Sequence, residues 1–173
     1  MQFKERTLGS KTLYSGKILT LKKDEVELLD KTKSYREVVV HSGGACVLCE
    51  LNGKILLVRQ FRYPYKEEVL ELPAGKINDG ELPDNTAIRE LSEEGGIEVD
   101  GVELMFTCYP SPGYTDEIIY IYKAVNPRQA TAHLDKGEFL ACEWYDKETL
   151  KQMIKNKEIK DGKTLIALLS ILK

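Results

Sequence analysis

The chain has 173 residues, with 25 Lys and Arg residues against 28 Asp and Glu residues and a formal net charge of −3 at pH 7. This length fits one compact domain with a small appendage, and 42% hydrophobic with 31% charged residues is an ordinary globular composition. The mild acidity argues against a general electrostatic grip on nucleic acid. The most apolar stretch, Leu165–Leu172, is shorter than the roughly 20 residues that a membrane span requires. We therefore expect no nucleic acid and no membrane as partners, and the charged N-terminus without an apolar signal segment predicts a cytoplasmic protein.

The first forty residues are predicted to form polar strands. Three short runs with alternating apolar residues are the expected strands: 18–21, 25–29 and 35–40. Because the strands before Arg36 are too polar to enclose a core of their own, we expect them to dock on a second subunit. The sequence thus predicts an N-terminal strand region, 1–40, that forms a homodimer, and a main domain, 41–173.

An apolar run at 45–51 predicts a buried strand, and Asn52-Gly53 predicts a tight hairpin into a second strand at 54–60. Cys46 and Cys49 lie in the first run with the C-x-x-C spacing of zinc and redox sites. Since side chains alternate along a strand, two residues three apart point to opposite faces. We therefore expect buried, unreactive cysteines, with thiol chemistry as the minor alternative.

The first helix is predicted at 83–94, because Pro83 suits a first turn and Gly95-Gly96 suits a helix stop. Further strands are predicted at 69–72, 102–108 and 117–124, and two C-terminal helices at 147–156 and 161–172. Strands that do not alternate regularly with helices indicate an α+β fold rather than a doubly wound parallel sheet.

The predicted helix at 83–94 carries three glutamates near its end. Glu90 and Glu94 are four residues apart and share one helix face, with Glu93 beside them. Arg89 can pair with Glu93 across one turn, so we expect Glu90 to have only Glu94 as its charged neighbour. Like charges at this spacing cost about 0.2–0.5 kcal/mol per pair. A hard divalent ion coordinated by oxygen would relieve the repulsion between Glu90 and Glu94, and Mg²⁺ prefers carboxylates together with substrate phosphates. The alternative is an acidic helix face in contact with solvent.

The segment from Gly75 to Ile97 matches a long signature. It reads glycine, five residues, glutamate, seven residues, Arg-Glu, an aliphatic residue, any residue, Glu-Glu, any residue, glycine and an aliphatic residue. The matching positions are Gly75, Glu81, Arg89, Glu90, Leu91, Glu93, Glu94, Gly96 and Ile97. This is the signature, or box, of the Nudix hydrolases, so the chain resembles that family. One departure is Gly95, at a position where threonine or alanine is commoner.

This resemblance implies an α/β/α sandwich with a mixed sheet, preceded here by the N-terminal antiparallel strands. It also implies binding of Mg²⁺ or Mn²⁺ and hydrolysis of a nucleoside diphosphate linked to another group. By position, Glu90 and Glu94 would be the main metal ligands, with Glu93 as a further ligand or as the base. The main-chain carbonyl of Ala74 would complete the metal site, and Arg89 would hold the glutamates in place.

Segments outside the box resemble the ADP-ribose pyrophosphatase subgroup of the family. They are the residues at 36–39, 58–64, 71–75, 111–117 and 161–165. The resemblance implies hydrolysis of ADP-ribose to AMP and ribose 5-phosphate by a homodimer with exchanged N-terminal strands. One alternative is a nucleotide-sugar pyrophosphatase, for example one that acts on GDP-mannose. The other is a Nudix domain that senses a nucleotide without catalysis.

The same subgroup implies roles for residues outside the box. Glu117 follows the Ser111-Pro112-Gly113 turn and would position or deprotonate the attacking water. Arg36 and Arg62 would contact the phosphates or ribose of the substrate, for which planar bidentate donors are suited. Tyr14 would stack on adenine. Because the sequence offers Glu117 no charged partner, we expect its glycine-containing loop to move when substrate arrives.

Overall fold

A computed structural model describes residues 3–133 and 139–172. The chain forms two compact units. The N-terminal unit comprises Met1–Gly43 together with Tyr109–Ile118, and the main unit comprises Gly44–Cys108 together with Ile119–Lys173. In the described part of the chain, no helix is both long and apolar enough to cross a membrane.

The N-terminal unit is built on a three-stranded antiparallel sheet in the order β1-β2-β3. Its strands are β1 (Arg6–Ser15), β2 (Leu19–Glu27) and β3 (Lys33–His41). Two separate strands were expected at 18–21 and 25–29, but β2 is continuous. Lys22, Lys23 and Asp24 pair with β1 on one side and with β3 on the other, so these polar residues extend the ladder instead of forming a turn. The turn between β2 and β3 lies at Lys31, whose φ is 69°, between the predicted runs 25–29 and 35–40.

The main unit contains two four-stranded arrangements, one mixed and one antiparallel. The first has the order β10-β11-β4-β8, in which β11 and β4 run parallel and the other pairs run antiparallel. The second has the order β13-β6-β5, with β7 also paired to β6. The strands are β4 (Gly44–Leu48), β5 (Glu50–Leu51), β6 (Lys54–Arg62), β7 (Glu67–Glu71), β8 (Ala74–Lys76), β10 (Gly101–Cys108), β11 (Ile119–Val125) and β13 (Leu140–Asp146). A short pair is formed by β9 (Ile97–Glu98) and β12 (Arg128–Gln129).

Helices cover the β-strand core of the main unit through two separate hydrophobic clusters. The helices are α1 (Pro83–Gly95), α2 (Lys147–Lys155) and α3 (Gly162–Ile171). Ala87 and Leu91 of α1 pack with Ala45 and Val47 in one cluster. The α2 and α3 helices contribute to the other cluster, which contains Leu48. Since alternate side chains of β4 enter different clusters, the strand is buried on both faces, as in an α/β/α sandwich. The predicted α+β class with a mixed sheet is confirmed.

The cysteines on and beside β4 follow the same alternation. Cys46 belongs to the cluster with α2 and α3, whereas Cys49 belongs to the cluster with α1, and both are fully buried. Burial raises the pKa of each thiol to about 12. The two side chains therefore lie apart and protonated, as expected from the strand period.

The helix ends explain why the box helix occupies its predicted place. Pro83 stands in the first turn of α1, and Gly96 ends the helix with a left-handed φ of 60°. The main-chain N–H of Gly96 donates to the carbonyls of Leu91 and Ser92, which would otherwise lack partners at the helix end. The start and the end of α1 thus agree with the prediction to within one residue.

Candidate active site

The box begins where β8 passes over the buried face of α1. A Cβ atom added to Gly75 would lie 1.7 Å from Oε1 of Glu90, so any larger residue here would displace the carboxylate of Glu90. The next turn of the helix is tied to the same strand, because the main-chain N–H of Ala74 donates to Oε2 of Glu94 at 3.0 Å. Glu90 and Glu94 are 8% and 4% exposed. The helix therefore holds two nearly buried carboxylates against the backbone of residues 74 and 75.

Arg89 connects the glutamates of the box. Its Nη1 donates to Oε1 of Glu90 at 2.7 Å and to Oε2 of Glu93 at 2.9 Å. Its Nε and Nη2 donate to the two carboxylate oxygens of Glu81 at 2.9 and 3.1 Å. The expected pairing of Arg89 with Glu93 is present. The expectation that Glu90 has only Glu94 as its charged neighbour is wrong, because the guanidinium extends across the helix and also reaches Glu90.

The interaction with Arg89 changes the pKa of Glu81, which lies in the loop before α1. The hydrogen bond from Arg89 lowers the pKa of Glu81 to about 2, and the main-chain N–H of Asn78 also donates to this carboxylate at 3.1 Å. Hydrogen bonds and an adjacent positive charge both favour the ionised form of a carboxyl group. Glu81 is therefore a fixed, charged anchor between the loop and Arg89.

The donors on α1 fit a divalent cation in their chemistry. Oxygens of Glu90 and Glu93 touch the same nitrogen of Arg89, so the two carboxylates already face one positively charged group. Carboxylate and main-chain carbonyl oxygens are the ligands that Mg²⁺ and Mn²⁺ prefer. Within residues 3–133 and 139–172, no three His, Cys, Asp or Glu side chains form a ready metal-binding cluster. The donor set therefore fits a hard cation, with Arg89 now between two of the donors.

Arg62 lies in a second charged cluster of the main unit, which we call the Glu71 cluster. It consists of Arg62, Glu71, Asp161 and Lys163, joined by short ion pairs. Glu71 is 3% exposed and accepts hydrogen bonds from Arg62 and from Lys163. A cavity of about 370 Å³ is lined by Arg62, Glu71 and Lys163 among others. Sequence reasoning selected Arg62 but missed Glu71 and Lys163, which are 92 residues apart and whose pairing no local pattern reveals.

The remaining predicted site residues lie in the N-terminal unit. Arg36 donates to both carboxylate oxygens of Glu5, to Oγ of Ser34 and to the carbonyl of Tyr35. Tyr14 is 59% exposed. Both side chains are therefore accessible, while the guanidinium of Arg36 is already occupied by a carboxylate.

Glu117 is more constrained than expected. Nδ1 of His41 lies 3.5 Å from Oε1 of Glu117, so the expectation that Glu117 has no potentially charged neighbour is wrong. The preceding loop is also fixed to β3, because the main-chain N–H of Asp116 and the hydroxyl of Thr115 both donate to the carbonyl of Val39. The main-chain N–H of His41 donates to Oδ1 of Asp116 at 2.9 Å. The loop that carries Glu117 is thus held to β3 by hydrogen bonds.

Of the predicted residues, the structure brings one group together. In the main unit, one hydrogen bond joins Ala74 to Glu94, and two others join Arg89 to Glu90 and Glu93. The end of α1 carries all four of these helix residues beside β8. Arg62 belongs to the same unit and lies close enough to Glu94 for this carboxylate to contribute to its raised pKa, after the larger effect of Glu71. Arg36, Tyr14 and Glu117 belong to the N-terminal unit.

Comparison with curated proteins gives relatives along nearly the whole chain. The chain is 39% identical over 168 residues to a methanol dehydrogenase activator of Bacillus methanolicus, covering 95% of this chain and 91% of the relative. It is 35% identical over 167 residues to an ADP-ribose pyrophosphatase of Bacillus subtilis, covering 95% and 90%. It is 32% identical over 171 residues to a GDP-mannose pyrophosphatase of Yersinia enterocolitica, covering 90% and 89%.

Comparison with solved structures supports the fold. A crystal structure of an ADP compounds hydrolase matches with a TM-score of 0.83 at 17% identity, covering 96% of this chain and 91% of the other. The profile of the nucleoside diphosphate sugar hydrolase N-terminal domain matches residues 5–39, and the profile of the NUDIX domain matches residues 40–168. The resemblance stated from the box residues is therefore confirmed, and the chain belongs to the Nudix family.

Proposed function

We propose that this protein hydrolyses the pyrophosphate bond of ADP-ribose and releases AMP and ribose 5-phosphate, with a divalent cation as cofactor. The observation that carries this proposal is the arrangement of α1, in which Glu90 and Glu93 both face the guanidinium of Arg89 and Glu94 is bonded to Ala74 of β8. The relative from Bacillus subtilis, 35% identical, is named for the same reaction. The chemistry of the site and the name of the relative thus point to one activity.

In this proposal, Glu90 and Glu94 hold Mg²⁺ or Mn²⁺, Glu93 is a further ligand or the base, and the carbonyl of Ala74 completes the set. When bound, the cation neutralises phosphate charge and activates water. Arg89 acts through the glutamates, because it fixes the orientation of their carboxylates. Its own charge remains balanced by Glu81, so it needs no contact with substrate.

The residues outside the box bind the substrate and transfer the proton. Arg62 and Arg36 donate to phosphate or ribose oxygens, for which a guanidinium has suitable planar geometry. Tyr14 stacks on adenine. Glu117 accepts the proton of the attacking water as a new P–O bond forms and the bridging P–O bond breaks. A general base in this position typically contributes about 10²–10⁴-fold to the rate.

The experiment that tests the proposal is a substrate panel. Purified protein is incubated with ADP-ribose, GDP-mannose and other nucleoside diphosphate derivatives in Mg²⁺ or Mn²⁺, and the products are separated by chromatography. We expect AMP and ribose 5-phosphate from ADP-ribose at the highest kcat/KM. Faster hydrolysis of GDP-mannose would favour the nucleotide-sugar reaction, and binding without hydrolysis of any compound would favour a sensing role.

A second candidate function is activation of an alcohol-oxidising dehydrogenase. The observation that favours it is the 39% identity to the relative named as a methanol dehydrogenase activator. It is tested by adding this protein to methanol dehydrogenase and measuring the rate of alcohol oxidation. An increase that depends on the box glutamates would support this function, and an unchanged rate would exclude it for that enzyme.

The predicted homodimer of the strand region 1–40 is supported by the exposed surface of β1. All ten residues of β1 are exposed, and Leu13 and Tyr14 are apolar or aromatic side chains among them, 47% and 59% exposed. A second subunit packed on this strand would cover them. Light scattering is expected to give twice the chain mass of 19.6 kDa. A monomer with full activity would contradict the assembly.

The cytoplasmic location stays a prediction from the sequence.

A further inference from the structure

A buried lysine neutralises the carboxylate that holds Arg62. In the Glu71 cluster, Nε and Nη2 of Arg62 donate to Oε1 and Oε2 of Glu71 at 2.5 and 2.8 Å. Nζ of Lys163 donates to the same Oε2 at 2.5 Å and lies 3.0 Å from Oδ1 of Asp161. Glu71 therefore receives two positively charged groups, one from β6 and one from α3.

The position of Lys163 is fixed by the start of α3. The carboxylate of Asp161 accepts a hydrogen bond from the main-chain N–H of Thr164 at 3.0 Å and caps the helix. The hydroxyl of Thr164 accepts from the main-chain N–H of Leu72 at 2.9 Å, directly after Glu71. The first contact fixes the start of α3, and the second attaches its first turn to the residue after β7. Lys163 is therefore held within reach of Glu71.

The exposure of the two cations differs. The side chain of Lys163 is 11% exposed, whereas that of Arg62 is 41% exposed and lines the cavity of about 370 Å³. Nε and Nη2 of Arg62 are held by Glu71, and the half-exposed side chain lies in the wall of the cavity, where a ligand can reach it. Both side chains line this cavity, but the ammonium of Lys163 is held between Glu71 and Asp161. Arg62 is therefore the cation that can contact substrate, and Lys163 acts through these carboxylates.

The charges of the cluster explain why both cations are needed. Burial opposes ionisation of Glu71, but the hydrogen bonds from Arg62 and Lys163 outweigh it and lower its pKa. With Lys163 present, the two cations balance Glu71 and Asp161. Without Lys163 the same residues would carry a net negative charge next to the phosphates of an anionic substrate, which would repel them at short range.

We infer that Lys163 is a positioning residue for substrate binding: it balances the charge of Glu71, so that Arg62, oriented by Glu71 and exposed at the cavity, can bind a phosphate group. This inference rests on the proposed hydrolysis of ADP-ribose, because it assumes that Arg62 binds that substrate. It adds Lys163 and Glu71, which do not contact the substrate, to the residues that determine its affinity.

The test begins with Lys163→Met, which keeps the length of the side chain and removes its charge. Loss of a charge-assisted interaction should raise KM for ADP-ribose about 10–100-fold while kcat stays within about threefold. The Kd of ADP-ribose measured by calorimetry in EDTA should rise in parallel. The matched control is Lys160→Met, which removes a lysine of the same cavity that pairs with Glu67 at the surface. This control should leave KM within about twofold of wild type, as expected for a surface pair.

The double variant Lys163→Met/Glu71→Gln distinguishes charge balance from packing. Because it removes the buried carboxylate together with its partner, its KM should return to within about threefold of that of Glu71→Gln. If Lys163 served only packing, the KM of the double variant would be at least as high as that of Lys163→Met. If Lys163→Met does not fold, because breaking a buried pair is strongly destabilising, the comparison of Glu71→Gln with the double variant carries the test. A KM of the double variant about tenfold higher than that of Glu71→Gln would overturn the inference.

The outcomes separate this inference from the proposed function. If wild type hydrolyses ADP-ribose and Lys163→Met has the same KM and Kd, the role of Lys163 is wrong and the function stands. If wild type neither binds nor hydrolyses ADP-ribose, the proposed function is wrong. A fall in kcat with unchanged KM in Lys163→Met would also overturn the inference, because charge balance at Arg62 acts on binding.

Discussion

Glu5 forms a bidentate ion pair with the Nε and Nη2 groups of Arg36. Its Oε2 accepts from Nε at 2.9 Å and its Oε1 accepts from Nη2 at 2.5 Å, which is the geometry a phosphate group would adopt on a guanidinium. The two side chains are 43% and 39% exposed. An exposed pair of this kind contributes about 0–1 kcal/mol, so a substrate with several negative charges can displace the carboxylate.

The first prediction follows from this competition. Glu5→Gln should lower KM for ADP-ribose by up to about fivefold with kcat unchanged, because the amide competes less well than a carboxylate for Arg36. The measurement is steady-state kinetics at saturating Mg²⁺. Glu25→Gln is the matched control, since Glu25 pairs at the surface with Lys33 and should not alter KM. A KM equal to that of wild type in Glu5→Gln would show that Arg36 does not meet the substrate's phosphates.

The second prediction concerns the carboxylates of α1. Glu90→Gln or Glu94→Gln should lower kcat at least about 100-fold, a loss of about 2.7 kcal/mol, because an amide is a much weaker ligand for a hard cation. Thermal unfolding should remain cooperative. Glu98→Gln, just past the box at an exposed position, should behave like wild type. Wild-type turnover of either box variant with saturating Mg²⁺ would refute the metal-ligand assignment.

The third prediction decides which glutamate is the base. Glu117→Gln should lower kcat by about 10²–10⁴-fold with only a few-fold change in KM, because the amide cannot accept the proton. Glu93 is held by Arg89 at 2.9 Å, which suits a fixed, ionised ligand. Single-turnover rates of Glu117→Gln and Glu93→Gln are compared. If Glu93→Gln is impaired and Glu117→Gln is normal, the base lies on the box helix.

The fourth prediction concerns stability in acid. The pKa of Glu81 is lowered from 4.5 to about 2 in the folded protein, mainly by Arg89. A depressed pKa contributes stability that is fully present above the unfolded value and is lost as pH falls toward the folded value. Urea unfolding should therefore show a loss of stability between about pH 4.5 and about pH 2 that is smaller in Glu81→Gln. Equal losses in both proteins would show that the Glu81–Arg89 pair contributes nothing measurable.

Local features of the fold were predictable from the sequence. The ends of α1 follow from Pro83 and Gly96, each of which acts within one turn of its own position. The hairpin at Asn52-Gly53 follows from two residues that accept positive φ values, 51° and 75°. Such signals are local, so a single sequence is enough to identify them.

Long-range pairings were missed for the opposite reason. β13 was not predicted, although Cys142 pairs with Val58 in the sheet, because its partner strand lies more than eighty positions earlier. The contact between His41 and Glu117 and the one between Glu71 and Lys163 also join distant segments. No local spacing encodes these contacts, since they depend on how the strands are ordered in space.

Cys46 and Cys49 are buried on opposite faces of the sheet, and they can report when the main unit opens. A thiol reacts with alkylating reagents as the thiolate, and these two are fully buried with pKa values near 12. Because each side chain belongs to a different hydrophobic cluster, both can be labelled only when both layers of the main unit open. The rate at which Cys46 and Cys49 are modified therefore reports on the opening of this unit, once the more exposed Cys108 and Cys142 have been blocked.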